Sequence, residues 1–456
     1  MIEKSIILKH YLQYKYRRIP KDREAFEDWQ EKQVLDQIRY VRKHSAFYRK
    51  QWEGLSDKEW RDFPMIDKSI MMDHFDSLNT LGITKDEAFA VAKDAERSRD
   101  FSPMIGSTTV GLSSGTSGNR GIFLVSKQER RAWTGTILAK ALPQSIFKQE
   151  KIAFFLRANS NLYDSVKSKQ IDFMFYDLLD PVNDHLKRLN QQSPGIIAAP
   201  PSMLRMLAEE KEKNRLHIMP HKVISVAEVL DPVDRQMIEN VFQQTVHQIY
   251  QCTEGFLANT CEYGTLHLNE DVVFIQKEYI DPQERKFMPI ITDFSRKAQP
   301  IIRYRLNDVL TEKATPCPCG SPMLALESID GRADDVFYFE HVHNKELQPV
   351  FPDFISRSMI NASAAIQEYY VVQQAVDQID ISYLLNEDAS TNTQEIEGAI
   401  KKEIHALCTK TKCKMPDIHF YLMEKGIENV YSKEVKATDV KKLRRIERRC
   451  EIHGAD

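Results

Sequence analysis

The chain has 456 residues, of which 42% are hydrophobic and 28% charged, with a formal net charge of -3. That length suits two or three domains with a sizeable core. The composition excludes a disordered or low-complexity polypeptide, and the near balance of charge gives no general attraction for nucleic acid. No run of about 18 apolar residues suggests a membrane span, and no charged, apolar, small-residue opening suggests a secretory signal. A cytoplasmic location is expected, with neither membrane nor nucleic acid as a partner. Seven cysteines in so long a chain, an odd number, argue for reduced thiols and a metal site rather than a disulfide framework.

Residues 1 to about 100 read as helical. The stretch Glu24 to Tyr48 carries Phe26, Trp29, Val34, Ile38 and Val41 on one stripe, the spacing of a helix with one buried face. His44-Ser-Ala-Phe-Tyr48 and Phe63-Pro-Met-Ile-Asp-Lys68 end one helix and begin another through a proline-containing turn. Aromatic residues at this spacing read as core.

Gly111-Leu-Ser-Ser-Gly-Thr-Ser-Gly-Asn-Arg-Gly121 follows. Glycines and hydroxyl side chains together leave backbone N–H and O–H groups free to wrap an oligophosphate, because no Cβ blocks close approach. No lysine follows the last glycine and no G-x-G-x-x-G is present, so neither common nucleotide loop is matched. Taken alone, the stretch reads equally well as a Ser/Gly surface turn.

From Ile122 onward strands and helices alternate. Ile122 to Val125, Lys151 to Leu156, Gly195 to Ala199 and Val223 to Val226 are short apolar runs, while Gln128 to Ala141, Pro181 to Gln191, Pro201 to Lys213 and Asp231 to Gln244 have helical spacing. This predicts an α/β domain with largely parallel strands, whose ligands lie beyond the carboxyl ends of the strands. Two strand ends run into a carboxylate: Ile224-Ser-Val-Ala-Glu228 and Ile249-Tyr-Gln-Cys-Thr-Glu254. Pro300-Ile-Ile-Arg-Tyr-Arg-Leu-Asn-Asp308 and the charged hinge Ile329-Asp-Gly-Arg-Ala-Asp-Asp-Val336 come next, before a second, smaller domain.

Ser113 to Gly118, Tyr250 to Glu254, Ile302 to Asp308 and Gly331 to Asp335 occur in the order and approximate spacing of the adenylate-forming enzymes. From about residue 30 to the C-terminus the chain resembles their phenylacetate-CoA ligase branch. The resemblance implies a large N-terminal adenylate-forming domain of layered sheets and helices at 1–332, helical over 1–100 and binding ATP and substrate over 101–332. A small mobile α+β domain would follow at 333–456. It also implies ATP-dependent activation of a carboxylic acid to an acyl-adenylate with release of pyrophosphate, then acyl transfer to an acceptor, CoA in the nearest branch.

On the same resemblance, Ser113, Ser114, Gly115, Thr116, Ser117 and Gly118 would hold the β- and γ-phosphates. Thr253 would touch the α-phosphate, and Glu254 would hold Mg2+, a hard cation suited to carboxylate and phosphate oxygens. Asp308 would accept both ribose hydroxyls. Arg332 would contact the nucleotide near the hinge, Ala227 and Glu228 would flank the adenine, and Tyr250 belongs to the same nucleotide site. The family's catalytic lysine aligns with Lys442, preceded by Lys441 where the family has glycine. Lys441, Lys433 and Lys436 stay open as alternatives, as does a solvated basic helix face.

Thr260-Cys-Glu-Tyr-Gly-Thr-Leu-His267 and Cys317-Pro-Cys-Gly320 supply thiolates and an imidazole, the ligands that close a tetrahedral structural Zn2+ site. The expected set is Cys261, His267, Cys317 and Cys319, similar to one carried by relatives, with Cys252 close enough in sequence to replace a member. The chain departs from the family in two places. Phe337 to Glu346 contains no glycine where CoA ligases have an Ile-x-Gly turn beside the pantetheine arm, and Gln251 replaces a glycine that faces the acyl pocket. An amine, an alcohol or a carrier-protein thiol as acceptor, adenylylation of a hydroxyl, and a catalytically silent nucleotide-binding homologue therefore stay open. An aryl or arylalkyl acid is expected, with Phe154, Phe173, Phe175, Tyr176 and Ala198 to Pro201 as pocket candidates. A homodimer stays open.

Overall fold

The computed structural model describes residues 2–16, 19–112, 121–156, 158–178, 180–386, 392–423 and 445–450. The chain divides into two compact units, one of Met1–Leu306 with Leu310–Ser328 and one of Asn307–Val309 with Ile329–Asp456. Among the described residues no helix is long and apolar enough to cross a membrane.

The larger unit is built on five adjacent parallel strands, in the order Ile171–Asp177, Glu150–Leu156, Ile196–Ala199, Lys222–Val226 and Val246–Gln251. Their side chains sort by parity. Ala153, Phe155, Ile197, Ala199, Val223 and Val246 join one apolar cluster with Leu189, Leu204, Leu207 and Ile238 from the crossover helices Val182–Gln192, Pro201–Glu212 and Pro232–Phe242. Ile152, Ile196, Ala198, Ile224 and Val226 join a second cluster with Ile137 and Leu138 of the helix Lys127–Ala141. Burial on both faces explains why these strands read as unbroken apolar runs. Ile171–Asp177, absent from the predicted strands, completes the edge of this layer.

From Gln251 the sheet turns antiparallel, through Phe256–Thr260 to Leu266–Leu268, whose Leu266 pairs with Leu326. The helix Ile2–Tyr16 crosses Lys127–Ala141 at Gly135, where a Cβ would lie 2.6 Å from the Ile7 carbonyl oxygen. A side chain there would drive the two helices apart.

The helix that starts near Glu24 and is expected to end within His44 to Tyr48 runs Arg23–His44. Ser45 closes it, its N–H donating to Val41 O at 2.8 Å, and at the same time caps the short helix Ala46–Gln51 by accepting from Tyr48 N–H. A serine hydroxyl that satisfies the next helix's free N–H makes the break favourable. The apolar stripe still packs as expected, with Val34, Ile38 and Val41 against Trp52, Trp60, Phe63 and Ile302.

The smaller unit is α+β. A hairpin of Phe337–Glu340 and Leu347–Val350 precedes a four-stranded sheet ordered Asp417–Leu422, Gln378–Leu385, Ile366–Ala375, Ile446–Arg448. The helices Pro352–Ala362 and Thr393–Lys410 contribute Ile355, Met359, Ile396, Ile400 and Ile404 to a core with Phe337, Phe339, Val371 and Ile381.

Candidate functional site

The carboxyl ends of the parallel strands hold two of the sequence motifs. Beyond Val226, the Glu228 N–H donates to the Val226 carbonyl at 2.9 Å and closes a three-residue turn around Ala227. Ala227 has φ +68°, a left-handed value uncommon for a residue with a Cβ. The Glu228 carboxylate accepts from Ser202 Oγ at 2.9 Å and from the Ser202 N–H at 3.4 Å. Ser202 lies in the first turn of Pro201–Glu212, where exposed N–H groups favour a negative charge.

Next to this turn in the sheet, Val246–Gln251 and Phe256–Thr260 form a hairpin whose register shifts between Tyr250 and Gln251. The Cys252 N–H donates to Gly255 O at 3.0 Å, so Thr253 and Glu254 form the tip. Arg296 fixes it: Nη1 donates to Thr253 O at 3.0 Å and Nη2 to Leu124 O at 3.3 Å. One guanidinium therefore clasps the hairpin tip to the strand Ile122–Val125, which leaves the glycine-rich stretch. Asp293 shapes the turn that presents Arg296, accepting from the N–H groups of Ser295 and Arg296. Burial pushes the Asp293 carboxyl up, against the opposing pull of Arg296.

Glu254 is 8% exposed, and its Oε1 accepts from Tyr304 Oη at 3.0 Å. Burial, and then the Glu254 charge, hold the Tyr304 phenol far above its ordinary range, so the tyrosine is the donor. Among the described residues no lysine, arginine or histidine pairs with Glu254. A buried carboxylate without a counter-ion is costly, which leaves this group in need of a cation. Tyr250 packs against the cluster that contains Tyr304 and Trp60.

Ser113, Ser114, Gly115, Thr116, Ser117 and Gly118 lie outside the described residues, as do Lys433, Lys436, Lys441 and Lys442. The strands Thr108–Leu112 and Ile122–Val125 flank the glycine-rich stretch and pair antiparallel, with Leu112 opposite Ile122. Asp308 and Arg332 both fall in the smaller unit. There Asn307 Nδ2 donates to Asp334 Oδ2 at 2.6 Å and Ala333 N–H to Asn307 O at 3.2 Å, tying the segment with Asp308 to the hinge with Arg332. Gly331, at φ +117°, supplies a backbone angle that other residues rarely adopt.

The ligand atoms of Cys261, His267, Cys317 and Cys319 all lie within 4.8 Å of one another. Cys261 Sγ is 3.7 Å from Cys317 Sγ, and Cys319 Sγ is 3.4 Å from His267 Nε2. With metal–sulfur and metal–nitrogen bonds of about 2.3 and about 2.05 Å, a tetrahedral zinc site has S···S and S···N edges of about 3.8 and about 3.6 Å. The donor set and its spacing thus fit the ion. His267 Nδ1 lies 3.0 Å from Met323 O, which assigns the ring proton to Nδ1 and leaves Nε2 as the ligand atom. The sulfur of Cys252 instead faces Gly255 O at 3.8 Å.

The pocket candidates split between the two sheet faces. Tyr176 stacks on Phe155 at 4.5 Å in the helix-covered core. Phe154 and Phe173 lie on the other face, where Phe154 meets Tyr163 and Tyr163 meets Trp133. Trp133 Nε1 donates to Gln251 Oε1 at 3.3 Å, so the residue in the family's glycine position is engaged by an indole. Sequence reasoning missed Trp133, Arg296 and Asp293. Only Tyr304 stood inside a motif already singled out.

No protein-family model matches the chain. Over 248 residues it is 22% identical to the phenylacetate-coenzyme A ligase of Thermus thermophilus. That match covers 49% of this chain and 54% of the relative, about half the relative's length. Likeness to solved structures extends over nearly the whole chain. A 2-hydroxyisobutyryl-CoA ligase in the postadenylation state with R3-HIB-AMP matches 92% of this chain and 89% of its own, with TM-score 0.69 and 15% identity. The open conformation of 2-hydroxyisobutyryl-CoA ligase, in complex with 2-HIB-AMP and CoA, matches 94% and 92%, with TM-score 0.62 and 15% identity. A GH3.15 acyl acid amido synthetase matches 93% of each chain, with TM-score 0.59 and 12% identity. The chain therefore has the fold of the adenylate-forming superfamily, and its sequence match lies in the phenylacetate-CoA ligase branch.

Proposed function

We propose that this protein is an ATP-dependent, adenylate-forming ligase for a carboxylic acid, an aryl or arylalkyl acid being the first class to test. An oxygen of the acid attacks the α-phosphorus of ATP, the bond to the bridging oxygen breaks, and pyrophosphate leaves. The acyl group then passes to an acceptor and AMP departs. Two anions must be brought together in the first step, so positioned donors and a cation contribute most of the rate. The observation that carries this reading is Glu254, a buried carboxylate at the carboxyl edge of the parallel strands with no cationic partner among the described residues.

Glu254 would hold Mg2+, which would neutralise charge shared by the α- and β-phosphates. Thr253, at the tip clasped by Arg296, faces the α-phosphate, and the turn at Ala227 with Tyr250 and Glu228 borders the base. Ser113 to Gly118 are the residues that would bind the terminal phosphates. Asp308 takes the ribose hydroxyls, Arg332 meets the nucleotide from the hinge, and Lys442 brings a charge to the reacting carboxylate. The Cys261, His267, Cys317 and Cys319 set would hold a structural zinc. CoA is the first acceptor to test. An amine is the second: Phe337–Glu340 and Leu347–Val350 form a hairpin without glycine, and an acyl acid amido synthetase shares the fold.

The test is pyrophosphate exchange over a panel of carboxylic acids, followed by product analysis with CoA and with amines. Glu254→Gln should lower exchange by about 100-fold, the scale of one charged group lost from the transition state. Exchange unchanged in that variant would remove Glu254 from the site, and no exchange with any acid would favour the silent homologue.

A further inference from the structure

Tyr304 is 3% exposed and ends on the hydroxyl that meets Glu254 Oε1. A buried phenol needs some partner, so this contact by itself is unremarkable in kind. Two further features make it directional. Among the described residues Tyr304 is the only group bonded to the Glu254 carboxylate, so one oxygen is held and the other is left to a ligand. The backbone that delivers Tyr304 is also strained. Arg303 has φ +47°, left-handed for a residue with a long side chain.

That conformation is held on several sides. The Arg303 N–H donates to Thr292 Oγ1 at 3.0 Å, and its carbonyl accepts from the Ile66 N–H at 3.1 Å. Its guanidinium donates to Gln276 Oε1 at 3.1 Å and to Phe63 O. Arg305 N–H then returns to Ile66 O at 2.8 Å.

We propose that Tyr304 is a positioning residue: held by the left-handed turn at Arg303, it fixes one oxygen of Glu254 so that the other is aimed at the divalent cation that accompanies the nucleotide. This rests on the function proposed above. Outer hydrogen-bond partners of a metal-binding group commonly change metal affinity by 10- to 100-fold, and a carboxylate freed from its donor also regains rotamers in which it misses the metal.

The test measures Mn2+ binding by electron paramagnetic resonance, in the presence of a non-hydrolysable ATP analogue, for the full chain and its variants. Tyr304→Phe keeps the ring and removes the donor; it should weaken Mn2+ about tenfold while metal-free nucleotide affinity stays unchanged. Thr292→Val removes the acceptor that holds the Arg303 turn and should weaken Mn2+ in the same direction. It decides the matter if Tyr304→Phe does not fold. Wild-type Mn2+ affinity in whichever variant folds would overturn the proposal. A wild-type chain that binds no Mn2+ with nucleotide, and shows no pyrophosphate exchange, would overturn the proposed function instead.

Discussion

A zinc ion in the four-ligand cluster would hold one loop, and its removal should free that loop and spare the sheet. The residues at issue are 314–324, eleven positions between the Lys313 N–H and the Ala325 carbonyl, which bond at 2.9 Å. Ordering eleven residues costs on the order of 10 kcal/mol of backbone entropy at about 1 kcal/mol each. Structural zinc sites supply about 10–16 kcal/mol in small peptides, so the ion alone is sufficient to offset the cost. Among the described residues the loop's hydrogen-bond anchors gather at its end: Leu268 N–H to Leu324 O at 2.9 Å, Leu324 N–H to Glu270 Oε2 at 2.6 Å, Arg23 Nη1 to Pro322 O at 3.2 Å, and His267 against Met323 O. At about 1 kcal/mol per neutral hydrogen bond and up to about 3 for one to a charged group, these cannot replace the metal. Arg23 is itself committed to Glu270, which holds its guanidinium more firmly protonated. Chelation should therefore raise hydrogen exchange across residues 314–322 while Glu150–Leu156 and Lys222–Val226 stay protected. Elemental analysis of protein purified without chelator should find about one zinc per chain. Cys317→Ser or Cys319→Ser should lower the folding yield without selectively abolishing chemistry. A metal-free protein whose 314–322 amides are already protected would refute the cluster as a zinc site.

Lys442→Ala should reduce adenylate formation by about 100-fold, measured by pyrophosphate exchange, while still converting a supplied acyl-adenylate. Loss in Lys441→Ala or Lys436→Ala instead would move the register. Gly135→Ala should destabilise by about 1–3 kcal/mol by forcing a Cβ against the Ile7 carbonyl; exchange in Ile2–Tyr16 should rise, and an unchanged melting temperature would contradict the close crossing. Burial lowers the pKa of His185, and burial with Lys222 and Arg235 lowers that of His247 to about 4. Both rings bind a proton less readily when folded than when unfolded, where the ordinary value is near 6.5. The unfolded chain therefore binds more protons in that interval, and stability falls as pH drops from 6.5 toward 4. Replacing His185, whose two ring nitrogens have no hydrogen-bond partner among the described residues, with leucine should flatten part of that slope in urea midpoints measured against pH.

Much of the α/β layer was legible in the sequence, because strands covered on both faces require apolar runs and crossover helices require an apolar stripe. Ile196–Ala199, Lys222–Val226 and Pro201–Glu212 therefore lie within a residue or two of their expected bounds. Motif order was equally readable, since Thr253 and Glu254 must follow a strand to reach its carboxyl end. Local periodicity says nothing of which strand lies beside which, or of which backbone atoms an arginine can span. Tertiary structure alone decided that Arg296 joins Thr253 to Leu124, that Tyr304 reaches Glu254 from 50 residues away, and that Tyr176 and Phe173 fall on opposite faces of one sheet. The helix end expected within His44 to Tyr48 falls at Ser45, but that a second short helix begins there at once, capped by the same serine, was settled by the tertiary structure. The four zinc-type ligands were named from residue chemistry. Their meeting across 56 residues follows from the pairing of Leu266–Leu268 with Ala325–Arg332, a long-range register that no segment encodes by itself.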